Sequence, residues 1–239
     1  MRAAAALPVQ DLGAPIDVLW FRLSKRPGDP LNVLGHLEPG TMVVTIDRND
    51  YWQCAYVIAK GSAERVRAAG IEAFRRSVAV GAVFLADRLD ELQTFDDIKL
   101  LSVAVDRLVT WSAPGLLCIG DAAHAMSPVG GVGINLAIQD AVASANLLAA
   151  KLRAGIVTDA DLQKVQKRRT LPVKVIQRGQ VTIHNRVLRP LMSAAGGSLE
   201  VPWVVKLLDR YASLRRWPAQ ILGVGLRPEH VRSPEELHA

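Results

Sequence analysis

Apolar runs with a β-branched and aromatic bias mark the first strands. IDVLWFR, from Ile16 to Arg22, predicts one, ended by a charged Pro/Gly turn from Lys25 to Pro30. MVVTID (Met42 to Asp47) and YWQCAYVI (Tyr51 to Ile58) flank the polar cluster Arg48-Asn49-Asp50 and predict a hairpin. Alternation in the second run puts Trp52, Cys54, Tyr56 and Ile58 on one face and Tyr51, Gln53, Ala55 and Val57 on the other. One face packs and the other is free to line a pocket. Helical spacing of Val66, Ala69, Ala73 and Phe74 predicts a helix over 62–78, capped by Ser62 with Glu64 in its first turn.

Further along, IKLLSVAVDRL (Ile98 to Leu108) predicts another strand. After the turn Ser112-Ala113-Pro114-Gly115, LLCIG predicts a short buried strand ending at Gly120. A helix is expected over 132–152. A long basic helix follows, starting at Asp159 or Asp161, with Pro172 kinking it or dividing it in two. Gly196-Gly197 breaks the chain before a last helical stretch, Val201 to Leu214. No repeat or low-complexity segment interrupts the pattern.

With 239 residues, half of them hydrophobic and 22% charged, the composition is that of a globular chain. The net charge of +6 raises the question of nucleic acid. The basic residues are scattered in pairs, Arg75-Arg76, Arg168-Arg169 and Arg215-Arg216, with acids between them and no aromatic interleaving. They read as a solvated surface, so no nucleic-acid partner is expected. Cys54 and Cys118 lie in apolar runs without metal-ligand spacing, so they read as buried thiols in a reducing compartment, and no metal is expected. The opening MRAAAALPV lacks a full signal-peptide h-region, and no apolar run reaches membrane-spanning length. A cytoplasmic protein without a membrane partner is the expectation.

The stretch GDAAHAMSPVGGVGINLAIQDA, Gly120 to Ala141, carries the chemistry. A strand ending in Gly-Asp places the Asp121 carboxylate at a sheet's carboxyl edge, where it accepts hydrogen bonds from ligand hydroxyls. Pro128 stiffens the loop, and Gly130, Gly131 and Gly133 let backbone N–H groups approach a flat ligand. The following helix aims its unpaired N–H groups and positive dipole end at the same place. Such parts suit a ligand with hydroxyls at one end and a negatively charged ring edge at the other, as in a reduced flavin. Ala137, Ala141 and Ala145 form a small-residue column that lets this helix lie close to its neighbour.

In its order of residues the stretch closely resembles the second FAD-binding motif of the class A flavoprotein monooxygenases, the para-hydroxybenzoate hydroxylase family. That pattern reads G-D-A-A-H, a short spacer, P, then G-x-G-x-N and an alanine-rich helix with an acid. The resemblance extends from about Ile16 to Gln180, with the hairpin similar to part of the family's antiparallel substrate sheet. It implies a mixed α/β (α+β) fold: an FAD/NAD(P)-binding fold, truncated, with an antiparallel substrate-domain sheet and C-terminal helices. The implied division is 1–110 for a remnant of the FAD domain plus the sheet, 111–155 for the C-terminal part of the FAD domain, and 156–239 for a helical region.

The resemblance implies that Asp121 binds the ribityl hydroxyls and that Gly120 is the turn that exposes it. Pro128 stands beside the isoalloxazine, and Gly130, Gly131, Val132, Gly133, Ile134 and Asn135 run along its pyrimidine edge. His124 either orients the loop or is simply structural. Gln53 and Trp52 are candidates to line the substrate cavity, although a packed strand face explains Trp52 equally well. Arg107 either contacts a cofactor or faces solvent. No catalytic residue is identifiable.

The family's opening strand, G-x-G-x-x-G loop and helix have no counterpart here, nor does its Asp-Gly motif. The chain therefore reads as an N-terminally truncated form. The expected activity is that of an FAD-dependent oxidoreductase, a monooxygenase or hydroxylase using NAD(P)H and oxygen on a small organic substrate, and a homodimer is compatible with it. The alternative is a non-catalytic remnant or interaction module, with the basic helices from Asp159 to Arg189 as its binding face.

Overall fold

The computed structural model describes residues 2–30, 34–38, 40–190, 210–211, 220 and 224–232. In chain order the elements are β1 (Val9–Asp11), β2 (Ile16–Ser24), β3 (Leu34–Glu38), β4 (Thr41–Asp47), β5 (Tyr51–Ala59), α1 (Ala63–Ala68), α2 (Ile71–Gly81), β6 (Lys99–Leu101), β7 (Asp106–Leu108), β8 (Ser112–Ala113), β9 (Leu116–Leu117), β10 (His124–Ala125), α3 (Gly133–Arg153) and α4 (Asp159–Ile183). They fall into two compact units. One takes Met1–Gly13, Ala104–Val181 and Val201–Ala239; the other takes Ala14–Val103 and Thr182–Glu200.

The second unit is built on an antiparallel sheet of order β3-β4-β5-β2-β6. Its hairpin is the one predicted, with Asn49 at positive φ in the turn and its N–H donating to Asp47 Oδ1. Alternation then sets the faces, but Ala55 and Val57 are buried as well, so the second face of β5 is free to line a pocket only around Tyr51 and Gln53. Leu19, Phe21, Leu23, Val43, Trp52, Cys54 and Tyr56 are buried against Phe74 and Val78 of α2 and Leu85 and Leu89 of the 3-10 segment Val83–Glu91. Each such fully buried side chain contributes about 1.5–3 kcal/mol relative to exposure. Burial also pushes the Cys54 thiol up to about 12, which keeps it protonated.

Three expectations are corrected here. The helix over 62–78 is two helices, because Gly70 adopts φ +86° between them; Ser62 donates its hydroxyl to the Ala59 carbonyl instead of capping. The strand over 98–108 is also two, β6 and β7, in different sheets. Finally, LLCIG pairs only at Leu116–Leu117, and Gly120 opens a 3-10 turn, Gly120–Ala122.

The first unit contains the sheet β1-β7-β10, the β8-β9 hairpin and the two long helices. Leu108, Trp111, Cys118 and Ala123 pack with Val173 of α4, while Val132 and Leu136 of α3 pack with Ile176. Helix α4 runs through Pro172 without dividing, although the Arg168 carbonyl has lost its N–H partner there. Arg2 ties the chain's opening down by a bidentate pair to Asp106, at 2.7 and 2.9 Å. The helix expected over 201–214 lies almost wholly outside the described residues, as do Gly196-Gly197 and Arg215-Arg216.

Candidate cofactor-binding site

Residues Gly120–Ala125 turn from the β9 region into β10, and α3 begins eight residues later. Gly120 sits at φ +56°, and a Cβ there would lie 3.0 Å from Ala137 Cβ, so only glycine lets α3 approach this closely. Its N–H donates to Asp140 Oδ2 at 3.0 Å. The same oxygen receives His124 Nε2 at 2.6 Å; because a carboxylate only accepts, the ring donates through Nε2–H. His124 is buried and packs against Trp111, with ring centroids 5.1 Å apart. It therefore braces the turn from inside.

Asp140 is wholly buried, and its other oxygen takes Arg169 Nε at 2.9 Å. Burial opposes its ionisation, but hydrogen bonds from His124, Arg169 and Gly120 hold its carboxyl below the ordinary carboxylate range. Asp121, between these clamped ends, is exposed and accepts no hydrogen bond among the described residues. A turn fixed at both ends thus presents a carboxylate with open lone pairs.

The loop after it is fixed as well. Gln180 of α4 accepts the Ser127 N–H at 3.1 Å and donates to the carbonyls of Ser127 and Val129 at 2.9 and 3.0 Å. Gly131 N–H closes a turn onto the half-buried Pro128, with Gly130 and Gly131 both at positive φ and open space where a Gly131 side chain would stand. At the start of α3 no side chain caps the helix: Val132 is the N-cap, Gly133 follows, Ile134 is 68% exposed and Asn135 is half-buried. An exposed carboxylate and uncapped helix N–H groups, joined by a loop of glycines, form a donor and acceptor set that fits a flavin's hydroxylated chain and electron-rich ring edge.

Other candidates land elsewhere. Arg107 does not simply face solvent: its guanidinium donates to Gln177 at 3.1 Å and Gln10 at 2.6 Å, and desolvation, helped by Arg178, lowers its pKa. Trp52 is wholly buried, set edge-on to Phe84, and its indole N–H donates to Asp29 at 2.8 Å. Of its two expected roles, the packed strand face is the one its position explains. Gln53 lies on the opposite face, half-buried, and accepts Arg48 Nε at 2.9 Å.

Sequence reasoning overlooked three residues of α4. All three are buried: Gln177 and Gln180 bond the backbone at Ala125, Ser127 and Val129, and Arg169 bonds Asp140, so the pair Arg168-Arg169 is not the solvated surface expected of it. The available signal was their spacing, which places them on one helical face with Val165, Val173 and Ile176.

A family model described as FAD binding domain matches residues 5–179. The chain belongs to that family. Over 132 residues it is 36% identical to 6-methylpretetramide 4-monooxygenase of Streptomyces rimosus, covering 55% of this chain and 32% of that protein. Over 55 residues it is 42% identical to the FAD-dependent monooxygenase ltmM of Epichloe festucae strain Fl1, 23% of this chain and 12% of that protein. Among solved structures, PqsL of Pseudomonas aeruginosa, a probable FAD-dependent monooxygenase, superposes with a TM-score of 0.62 at 21% identity, over 81% of this chain and 53% of that one. CabE, an aromatic hydroxylase from angucycline biosynthesis, gives 0.60 at 18% identity, over 95% and 45%. The shared fold is that of FAD-binding monooxygenases. The chain spans about a third of the length of the Streptomyces relative and about half that of these solved structures.

Proposed function

We propose that this chain supplies the ribityl and ring-edge half of an FAD site in a monooxygenase or hydroxylase that takes hydride from NAD(P)H and transfers oxygen to a small organic substrate. The observation that carries this reading is Asp121, an exposed carboxylate without a partner among the described residues, on a turn clamped by Asp140 and His124. Asp121 accepts the ribityl hydroxyls. Gly130 to Asn135 and the N-terminus of α3 lie along the pyrimidine edge, where the helix dipole favours negative charge. When bound, FAD supplies the redox chemistry; the chain's own residues orient it and stabilise charge. Gln53 is the substrate-facing candidate on the antiparallel sheet.

Two buried free thiols suit the cytoplasm as the working compartment. Among the described residues no helix is long and apolar enough to cross a membrane. The experiment is the visible spectrum of the purified chain after FAD is added and the protein desalted. A retained flavin band with a protein-shifted shape supports the reading, and a colourless folded protein overturns it for this chain. The elution volume of the same sample tests the homodimer.

A further inference from the structure

The segment 224–232 lies across α3 and α4, and its contacts converge on Arg169. Val224 O accepts Gln139 Nε2 at 2.8 Å, and Gly225 passes so close that a Cβ there would lie 2.8 Å from that nitrogen. Asn146 takes the Arg232 N–H at 2.7 Å and donates to the His230 carbonyl at 2.8 Å. Between these anchors, Arg227 O accepts Arg169 Nη1 at 3.1 Å. The Glu229 carboxylate pairs with Arg168 Nε at 2.5 Å and lies 3.6 Å from Arg169 Nη1. Arg169 Nη2 reaches Gln139 Oε1 at 3.2 Å.

The guanidinium of Arg169 is therefore divided. Its Nε holds Asp140, and its two terminal nitrogens are held by α3 and by the 224–232 segment. Asp140 passes the constraint on to Gly120 N–H and His124. A buried guanidinium with unfilled donors is costly, so loss of the segment's acceptors admits water or moves the side chain. Either change weakens its single hydrogen bond to Asp140.

We infer that Arg169 is a positioning residue for the cofactor turn and that the Arg227 carbonyl latches it from the segment 224–232, which the Glu229–Arg168 pair holds in place. The consequence for FAD rests on the cofactor reading above; the consequence for the turn does not. The test compares the full chain with Glu229→Gln and Arg169→Lys. Exchange of the Gly120 amide, followed by NMR, reads the turn directly, and FAD affinity is measured by flavin fluorescence. The amide of Leu148, buried in α3 of the same unit as Gly120, reports opening of that unit.

In both variants Gly120 exchange should quicken on the order of tenfold while Leu148 stays unchanged, and FAD should bind more weakly by a similar factor. If Arg169→Lys does not fold, Glu229→Gln decides. Unchanged Gly120 exchange in folded Glu229→Gln overturns the latch, as does acceleration equal to that of Leu148. Should the unaltered chain bind no FAD while Gly120 responds as expected, the latch is supported and only the cofactor reading fails.

Discussion

Arg88 and Arg169 are both buried arginines on helical segments, one in each unit, and each faces a buried aspartate. Arg88 grips Asp29 with both terminal nitrogens, at 2.6 and 2.9 Å, and its other donors go to Asp87, Ser24 O and Phe84 O. Asp29 in turn takes the Trp52 indole and the Arg26 N–H. Apart from Asp87, exposed on the same 3-10 segment as Arg88, this group belongs to the core or to the loop beside it. Arg169 gives Asp140 only Nε and Gln139 only Nη2, while Nη1 connects to the 224–232 segment on one side and Asp140 to the Asp121 turn on the other. The same ion pair thus closes a structure in one place and relays a constraint in the other, and what separates them is how the fork is shared.

Breaking the closed pair should give the largest effect. Arg88→Met leaves Asp29 buried without its counter-charge, and about 3–5 kcal/mol of stability should be lost in urea unfolding. FAD affinity of the folded fraction should stay as it was. A loss under about 1 kcal/mol would show that water reaches Asp29 and that the pair is not closed.

Acid sharpens the same contrast. Burial pushes the Asp29 carboxyl up, but Arg88, the Arg26 N–H and the Trp52 indole outweigh it and hold it at about 2. A depressed carboxylate stabilises the fold above its unfolded value near 4, and that stability is lost as pH falls through the folded value. About 2 kcal/mol should therefore disappear between about pH 4 and pH 2, and Asp29→Asn should remove that portion of the slope. Asp140 has the same sign, so Asp140→Asn should flatten the acid limb further.

At the relaying pair, Gly120→Ala places a methyl 3.0 Å from Ala137 and forces an L-residue into φ +56°. A cost of about 1–2 kcal/mol is expected, together with weaker FAD binding, because the turn must shift to make room. Calorimetry with and without FAD separates the two. If stability falls and affinity does not, the turn does not hold the ligand.

How much of this was legible depended on distance along the chain. The hairpin was readable because two apolar runs flank the polar cluster Arg48-Asn49-Asp50; the alternation from Tyr51 is followed by burial only as far as Cys54. The turn, glycine loop and helix start from Gly120 to Gly133 were readable because they are contiguous and each backbone demand is local. The break between β6 and β7 was not, because the chain changes units at Val103-Ala104 with no glycine or proline to mark it. Arg169 and Gln180 were hidden for another reason. They meet the loop only through tertiary packing, 29 residues from Asp140 and 53 from Ser127, and basic or amide side chains on a basic helix resemble a wet surface until their partners are known.

The smallest stability change is expected where the functional effect is meant to be most selective. Asp121 is exposed and takes no hydrogen bond among the described residues, so Asp121→Ala should alter stability by less than about 0.5 kcal/mol. FAD retained through desalting should nevertheless drop, since a carboxylate that accepts ligand hydroxyls contributes on the order of 1.5–3 kcal/mol. Retention equal to that of the unaltered chain would remove Asp121 from the site. Loss of retention with the fold and Gly120 exchange unchanged would separate the group that touches the cofactor from Asp140 and Arg169, which only hold it in place.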